Sequence, residues 1–269
     1  MSITWGNKIE EALGVIYGSF SIHLKQSFSR PTFRFVIIFQ PIFYSYLLYM
    51  MYHGSPNVNL GEKIVVSTGI LNLWSSVIFS SAGDIDRERY MGTLETIYST
   101  PSDFRVIFFG KVLGNLLLGV FSMLLSFLCV VFLFRLHIEI VNPIAFLISF
   151  VAMMASFSAI SLLFALLFTL SRNSGALMNC LEYPVFILCG IVFPINVLPE
   201  GFQYISYILS PTWAAELLRL SMIGISDYSV FYKDLGVLVV LTLLYGYMVL
   251  VLFRKIDLYI RQKGTLGVH

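Results

Sequence analysis

The sequence predicts an all-α integral membrane protein with six transmembrane helices, and three observations carry that prediction. The 269-residue chain is 58% hydrophobic and 12% charged, with a mean hydropathy of +0.84, whereas a soluble domain holds about 45–50% apolar and about 25% charged residues. Its apolar residues gather into runs long enough to cross a bilayer, for which about 20 helical residues suffice. Its charges gather between those runs. Residues 84 to 111 alone carry nine of the 32 Lys, Arg, Asp and Glu residues, and such a segment belongs in water because each charge in hydrocarbon costs about 2.5 kcal/mol or more.

The first element is an amphipathic helix over 5 to 29. Trp5, Ile9, Leu13, Ile16, Phe20, Leu24 and Phe28 recur at spacings of three or four, with Lys8, Glu10, Glu11, Lys25 and Gln26 elsewhere. That pattern describes a helix lying in the headgroup plane; the alternative, a helix packed on the protein's own cytosolic surface, lacks a soluble core to join. Pro31 stops it by steering Arg30 out of the helical region. Spans are expected at 34–52, 64–83, 106–134, 143–170, 176–195 and 235–253. The third and fourth exceed one crossing and must tilt or protrude. Pro41 and Pro184 fall inside the first and fifth, where each removes a backbone hydrogen bond and favours a kink.

Residues 53 to 61, rich in Gly, Ser, Pro and Asn, make an outside turn. The stretch 194–234 is too apolar for a solvated loop, and Pro194, Pro199 and Pro211 break it too often for one span. Short helices over 196–220 that dip into the outer leaflet and return satisfy both facts. No repeat, low-complexity tract or linker divides the chain, so residues 1–269 are expected to form a single domain.

Basic residues set the orientation. With the N-terminus inside, the inner segments hold 13 of the 17 Lys and Arg residues and the outer ones only Lys63, Arg135, Arg219 and Lys233, which places both termini and the 84–111 segment in the cytoplasm. The net charge of +2 reflects this bias; no basic stripe with interleaved aromatics points to nucleic acid. The first 30 residues lack the apolar core and small-residue cleavage site of a secretory signal. Cys129, Cys180 and Cys189 all fall in spans and read as buried small hydrophobes rather than disulfide partners.

Candidate chemistry is sparse. Gly110-Lys111 has the dipeptide of a phosphate-binding loop, but Val112 lacks the magnesium-binding hydroxyl and Arg105 stands where the leading Gly belongs. His23, His53, His137 and His269 show no metal-ligand spacing. No nucleophile elbow or paired carboxylates appear, so no catalytic residue, metal or cofactor is assigned to this chain. Glu182 is the one clear carboxylate inside a span, with Asn179 and Tyr183 beside it. Such a group either lines a polar path for substrate or hydrogen-bonds a neighbouring helix. Glu216 and Arg219, three apart, fit a surface pair on the outer segment.

Two blocks of residues carry a family resemblance. Arg87, Glu88, Arg89, Gly92, Thr93, Leu94, Glu95, Thr100 and Pro101 form Arg-Glu-Arg-x-x-Gly-Thr-Leu-Glu-x-x-x-x-Thr-Pro, and Gly190, Phe193-Pro194, Leu198-Pro199, Pro211, Glu216 and Arg219 form the second block. Both resemble the permease subunits of type-2 ATP-binding cassette (ABC) exporters. With the N-terminal helix and six spans, the resemblance covers the whole chain.

The resemblance implies a transport subunit rather than an enzyme, working in a prokaryotic plasma membrane. Two copies of a separate ABC ATPase would hold ATP and Mg, and a second permease copy or close paralogue would complete the pathway. A cytosolic coupling helix within 86–101, ended by Thr100-Pro101, would enter a groove on that ATPase. Leu94 and Ile97, three apart, would form its apolar edge, with Glu88, Arg89 and Glu95 meeting charges at the rim; a solvated loop is the plain alternative.

An aromatic content of 16%, with 24 Phe, suits an amphipathic or hydrophobic cargo: a drug, a peptide antibiotic or a lipid-like molecule. Arg30 to Phe35 with Gln40-Pro41 looks more like the drug and antibiotic branch than the lipid-linked polysaccharide or teichoic-acid branch. An ATP-independent channel or secondary transporter predicts several charges inside the spans, where only Glu182 qualifies. A membrane-embedded transferase predicts clustered acidic or His residues at one depth, which are missing.

Overall fold

A computed structural model describes residues 5–53, 59–93, 100, 104–170 and 174–263, and among these no strand occurs. Helix α1 (Trp5–Ser29) gives way to α2 (Pro31–Tyr52) at Arg30, whose ψ of 117° is extended as the following proline requires. Then come α3 (Leu60–Tyr90), α4 (Phe104–Phe132), α5 (Pro143–Leu170) and α6 (Ser174–Leu188). A 3-10 turn over Ile195–Val197 leads to α7 (Glu200–Ile208), α8 (Ser210–Ile223) and the long α9 (Tyr228–Lys263).

Among the described residues, four helices are long and apolar enough to cross a membrane: Phe33–Tyr52, Arg105–Phe132, Pro143–Phe168 and Tyr228–Lys255. Of the second and fifth expected spans, 64–83 and 176–195, the side chains of 79–83 and 176–179 lie outside the described residues. The second span lies within α3, which packs against α2, α4, α5, α6 and α8 at the centre of the bundle. Every residue from Ile64 to Ser75 is buried, so Ser67, Thr68, Asn72 and Ser75 meet protein rather than lipid. Thr68 Oγ1 donates to the Ile64 carbonyl at 2.7 Å and Asn72 Nδ2 to Ser126 Oγ at 3.1 Å. A central helix need not be uniformly apolar once neighbours satisfy its polar groups.

The fifth expected span is shorter than the apolar run. Helix α6 stops at Leu188, and Gly190 then adopts φ 66°, the left-handed region that favours glycine. Irregular backbone continues from there to Pro194. The outer stretch expected over 196–220 is two helices, α7 and α8, broken at Leu209 (ψ 126°) just before Pro211.

The core centres on Trp74 of α3, which meets Phe157 and Phe164 of α5 edge-on at 5.7 and 6.1 Å between ring centroids. At the periphery, α2 turns Phe35, Phe39, Phe43 and Tyr46 outward and α9 exposes Val240, Leu243 and Tyr247, the surfaces that hydrocarbon or another apolar partner covers.

Candidate functional site

Helix α1 lies against α4 because two glycines let it. A Cβ on Gly110 would stand 2.6 Å from the Ile16 carbonyl oxygen, and one on Gly114 would stand 2.8 Å from His23 Cδ2. This small-x-x-x-small spacing brings backbones close and carries the polar residues of α1 to the last turns of α3.

There a buried network forms. His23 Nδ1 faces Asp84 Oδ2 at 3.2 Å, and its Nε2 faces Asn115 Oδ1 of α4 at 2.6 Å and Ser27 Oγ at 3.3 Å. Arg87 donates to Gln26 of α1 and stands 4.0 Å from Asp84. One turn on, Lys111 Nζ of α4 pairs with Glu88 Oε1 at 2.6 Å, and Thr93 Oγ1 donates to the other carboxylate oxygen of Glu88. His23, Asp84, Glu88 and Lys111 are each at most 7% exposed.

Burial opposes ionisation of Asp84, but the imidazole of His23 at 3.2 Å, with Lys111 and Arg87 nearby, holds its carboxyl below the usual range. Burial likewise opposes ionisation of Glu88, and the bonds from Lys111 and Thr93 outweigh it, so that carboxyl too is held low. Both are therefore carboxylates at neutral pH, locking α1 and α4 onto the end of α3.

Just beyond, Gly92 has φ 68° with open space around it, so conformation alone favours glycine there. The expected contact residues divide accordingly. Arg87 and Glu88 are embedded in the network rather than standing free at a rim, and Thr93 reaches back to Glu88. Thr100 is exposed. The side chain of Arg89 and all of Leu94, Glu95, Ile97 and Pro101 lie outside the described residues.

Glu182 and Tyr183 do not share a site. Glu182 is 1% exposed, with Ser75 Oγ donating to its Oε1 at 2.6 Å, while Tyr183 is 58% exposed on the other side of α6. Gln40 of α2 donates to Tyr44 at 3.1 Å and lies at the 3.5 Å limit from Ser75. Glu182 thus ties α6 to α3 and α2; the side chain of Asn179 is outside the described residues. At the opposite end of α3, the expected surface pair of Glu216 and Arg219 gives way to an inward arginine. Arg219 donates to the Ile191 carbonyl at 2.7 Å and to Ser67 Oγ at 3.3 Å, Ser67 donates to the same carbonyl at 2.6 Å, and Tyr52 donates to the Val192 carbonyl. Glu216 is exposed. The irregular turn after α6, reached through Gly190 and preceding Pro194 and Pro199, leaves carbonyls that need donors, and Arg219 supplies them.

Sequence reasoning set His23 aside for want of metal-ligand spacing and did not join it to Asp84. The signal was the Gly110-x-x-x-Gly114 pair together with His23 and Ser27, which stand one turn apart on α1. A family model described as ABC-2 type transporter matches residues 19–223, from the middle of α1 to the end of α8. Comparison with curated proteins returns no match.

Proposed function

Because the chain belongs to the ABC-2 type transporter family, we propose that this membrane transport subunit is the permease of an ATP-driven exporter. In this proposal two copies of a separate ABC ATPase bind ATP and Mg, and a second copy of the permease or a close paralogue completes the pathway. The charged end of α3 faces the cytoplasm of a prokaryotic cell, with both chain termini on that side. The segment from Gly92 to Pro101 is the coupling element, with Leu94, Glu95 and Ile97 meeting the ATPase and Arg87, Glu88, Arg89, Thr93 and Thr100 positioning it.

One observation carries this reading. The pairs His23–Asp84 and Lys111–Glu88 fix the last turns of α3 to α1 and α4, so a push on the segment emerging at Gly92 moves three helices together instead of bending a loop. Hydrolysis biases the pathway only if the ATPase binds nucleotide differently in the two states, and a rigid lever communicates that difference. The cargo in this reading is amphipathic or hydrophobic, a drug, peptide antibiotic or lipid-like molecule. The outward aromatic face of α2, where Phe35 and Phe39 stack at 4.4 Å, supports that cargo class. Glu182, paired with Ser75, acts on the path indirectly by holding α6 in place.

The test replaces Leu94 and Glu95 by Ala together in the permease reconstituted with its ATPase. ATP-dependent export should fall roughly 5- to 150-fold, the range of a typical coupling energy, with the permease still inserted and folded. Full-rate export from an intact complex carrying both changes overturns the assignment.

A further inference from the structure

Near the charged end of the bundle, a cavity of about 290 Å³ lies between α1, α4, α5 and α9. Its walls are hydrocarbon: Ile16, Phe109, Leu162, Leu166, Leu250 and Phe253. Among the described residues, the single charged one lining it is Arg105, exposed at the first turn of α4 and seated with its guanidinium 4.5 Å from the centre of the Phe253 ring. Arg254, also exposed, stands one turn beyond Leu250 on the same face of α9. An apolar chamber with cations at one end is the negative image of an anionic amphiphile.

The dimensions narrow the occupant. Clefts that enclose drug-sized ligands measure roughly 300–1,000 Å³, so this volume suits one hydrocarbon chain with its head outside. Such a chain would also fill a gap in the packing. Helix α1 packs on α4 and α2 but has little direct packing on α5 or α9, and the cavity is where all four approach.

We propose that this cavity binds an anionic phospholipid of the adjacent leaflet, one acyl chain filling the chamber and the phosphate held by Arg105 and Arg254. The lipid then acts as a tie between the interfacial helix α1 and the membrane helices α5 and α9. Lys and Arg at a membrane surface select anionic over zwitterionic headgroups, and the planar guanidinium grips phosphate in two-point fashion. The inference requires that this end of the bundle lie at a headgroup layer; it does not require an ATPase partner, so it stands or falls separately from the exporter assignment.

The test uses the full chain purified in detergent, with native mass spectrometry of bound phosphatidylglycerol against phosphatidylcholine of the same acyl chains. A photoactivatable acyl chain on each lipid maps the contact. One phosphatidylglycerol should be retained with about thirtyfold preference, as two cations at the surface imply, and it should label Phe109, Leu166 or Leu250. Arg105→Gln should cut the preference to about fivefold. Should that variant fail to fold, Arg254→Gln serves, with a preference reduced but not abolished. Equal retention of the two lipids by the unaltered chain overturns the proposal, as does labelling confined to the α5–α9 groove at Leu147 and Val239. Competition by glycerol phosphate as effective as that by the intact lipid also overturns it, since that would be a phosphate site without a chain.

Discussion

The two ends of α3 are fastened by opposite chemistry. At one end, Asp84 and Glu88 are buried carboxylates held by His23, Arg87 and Lys111, every partner arriving from another helix or, for Arg87 on Asp84, from the following turn. At the other end, Ser67, Tyr52 and Arg219 donate to the backbone carbonyls of Ile191 and Val192. A carboxylate and an ammonium need each other, since either alone in a dry site is costly. A carbonyl with two donors keeps one when the other is removed. The charged end is therefore a lock that fails as a unit, whereas the carbonyl end weakens by degrees. That difference suits the positions the two occupy: the charged end bears the segment proposed to receive mechanical input, and the carbonyl end closes the turn that follows α6.

The largest expected effect breaks the lock. Lys111→Met leaves Glu88 buried with the Thr93 hydroxyl as its remaining short-range donor among the described residues, and stranding one member of such a pair costs about 3–5 kcal/mol. Equilibrium unfolding of the purified chain in mixed micelles measures it. Adding Glu88→Gln should recover more than half of the loss, because a neutral amide needs no cation. A double variant as unstable as the single one would mean that Lys111 stabilises through packing on Phe108, whose ring centre lies 5.3 Å from its Nζ.

A smaller effect is expected where the donors are redundant. Arg219→Met removes charged hydrogen bonds to Ile191 and Ser67, but Ser67 continues to satisfy the Ile191 carbonyl at 2.6 Å. The cost should be about 1.5–3 kcal/mol, the range for hydrogen bonds to charged groups, measured by the same unfolding experiment. If Arg219→Met costs more than Lys111→Met, the contrast between the two ends is wrong.

Much of this architecture was legible in the chain. The amphipathic period of 5–29 and Pro31 mark α1, and the fourth apolar run, 143–170, coincides with α5, because hydrophobic runs and proline stops are local properties. The family was legible too, since the Arg87 to Pro101 block is contiguous. What escaped was pairing across the fold. His23 and Asp84 are 61 positions apart and meet only because Gly110 and Gly114 admit α1. Arg219 looked like the partner of Glu216, three residues away, but the orphaned carbonyls after α6 draw it inward. The end of α6 was equally hidden: the run to 195 stays apolar, while a backbone turn at Gly190 ends the helix without any change in hydrophobicity.

Acid separates the two ends most gently. Asp84 and Glu88 have folded-state pKa values below those of the unfolded chain, about 3.9 for Asp and about 4.3 for Glu. Their contribution to stability is therefore fully present above those unfolded values and drains away as pH falls through the lower, folded ones. The donors and acceptors at the other end, two hydroxyls, two backbone carbonyls and a guanidinium, keep their protons throughout that range. Amide exchange, expressed as protection factors so that the intrinsic pH dependence of exchange cancels, should show both ends equally unaffected by these carboxyls between pH 7 and 5. Below about pH 4, protection at residues 84–90 should fall while that at residues 67–71, at the other end of α3, holds. Loss beginning at both ends together would mean that acid acts on the bundle as a whole, and that the carboxylates are not what sets the charged end apart.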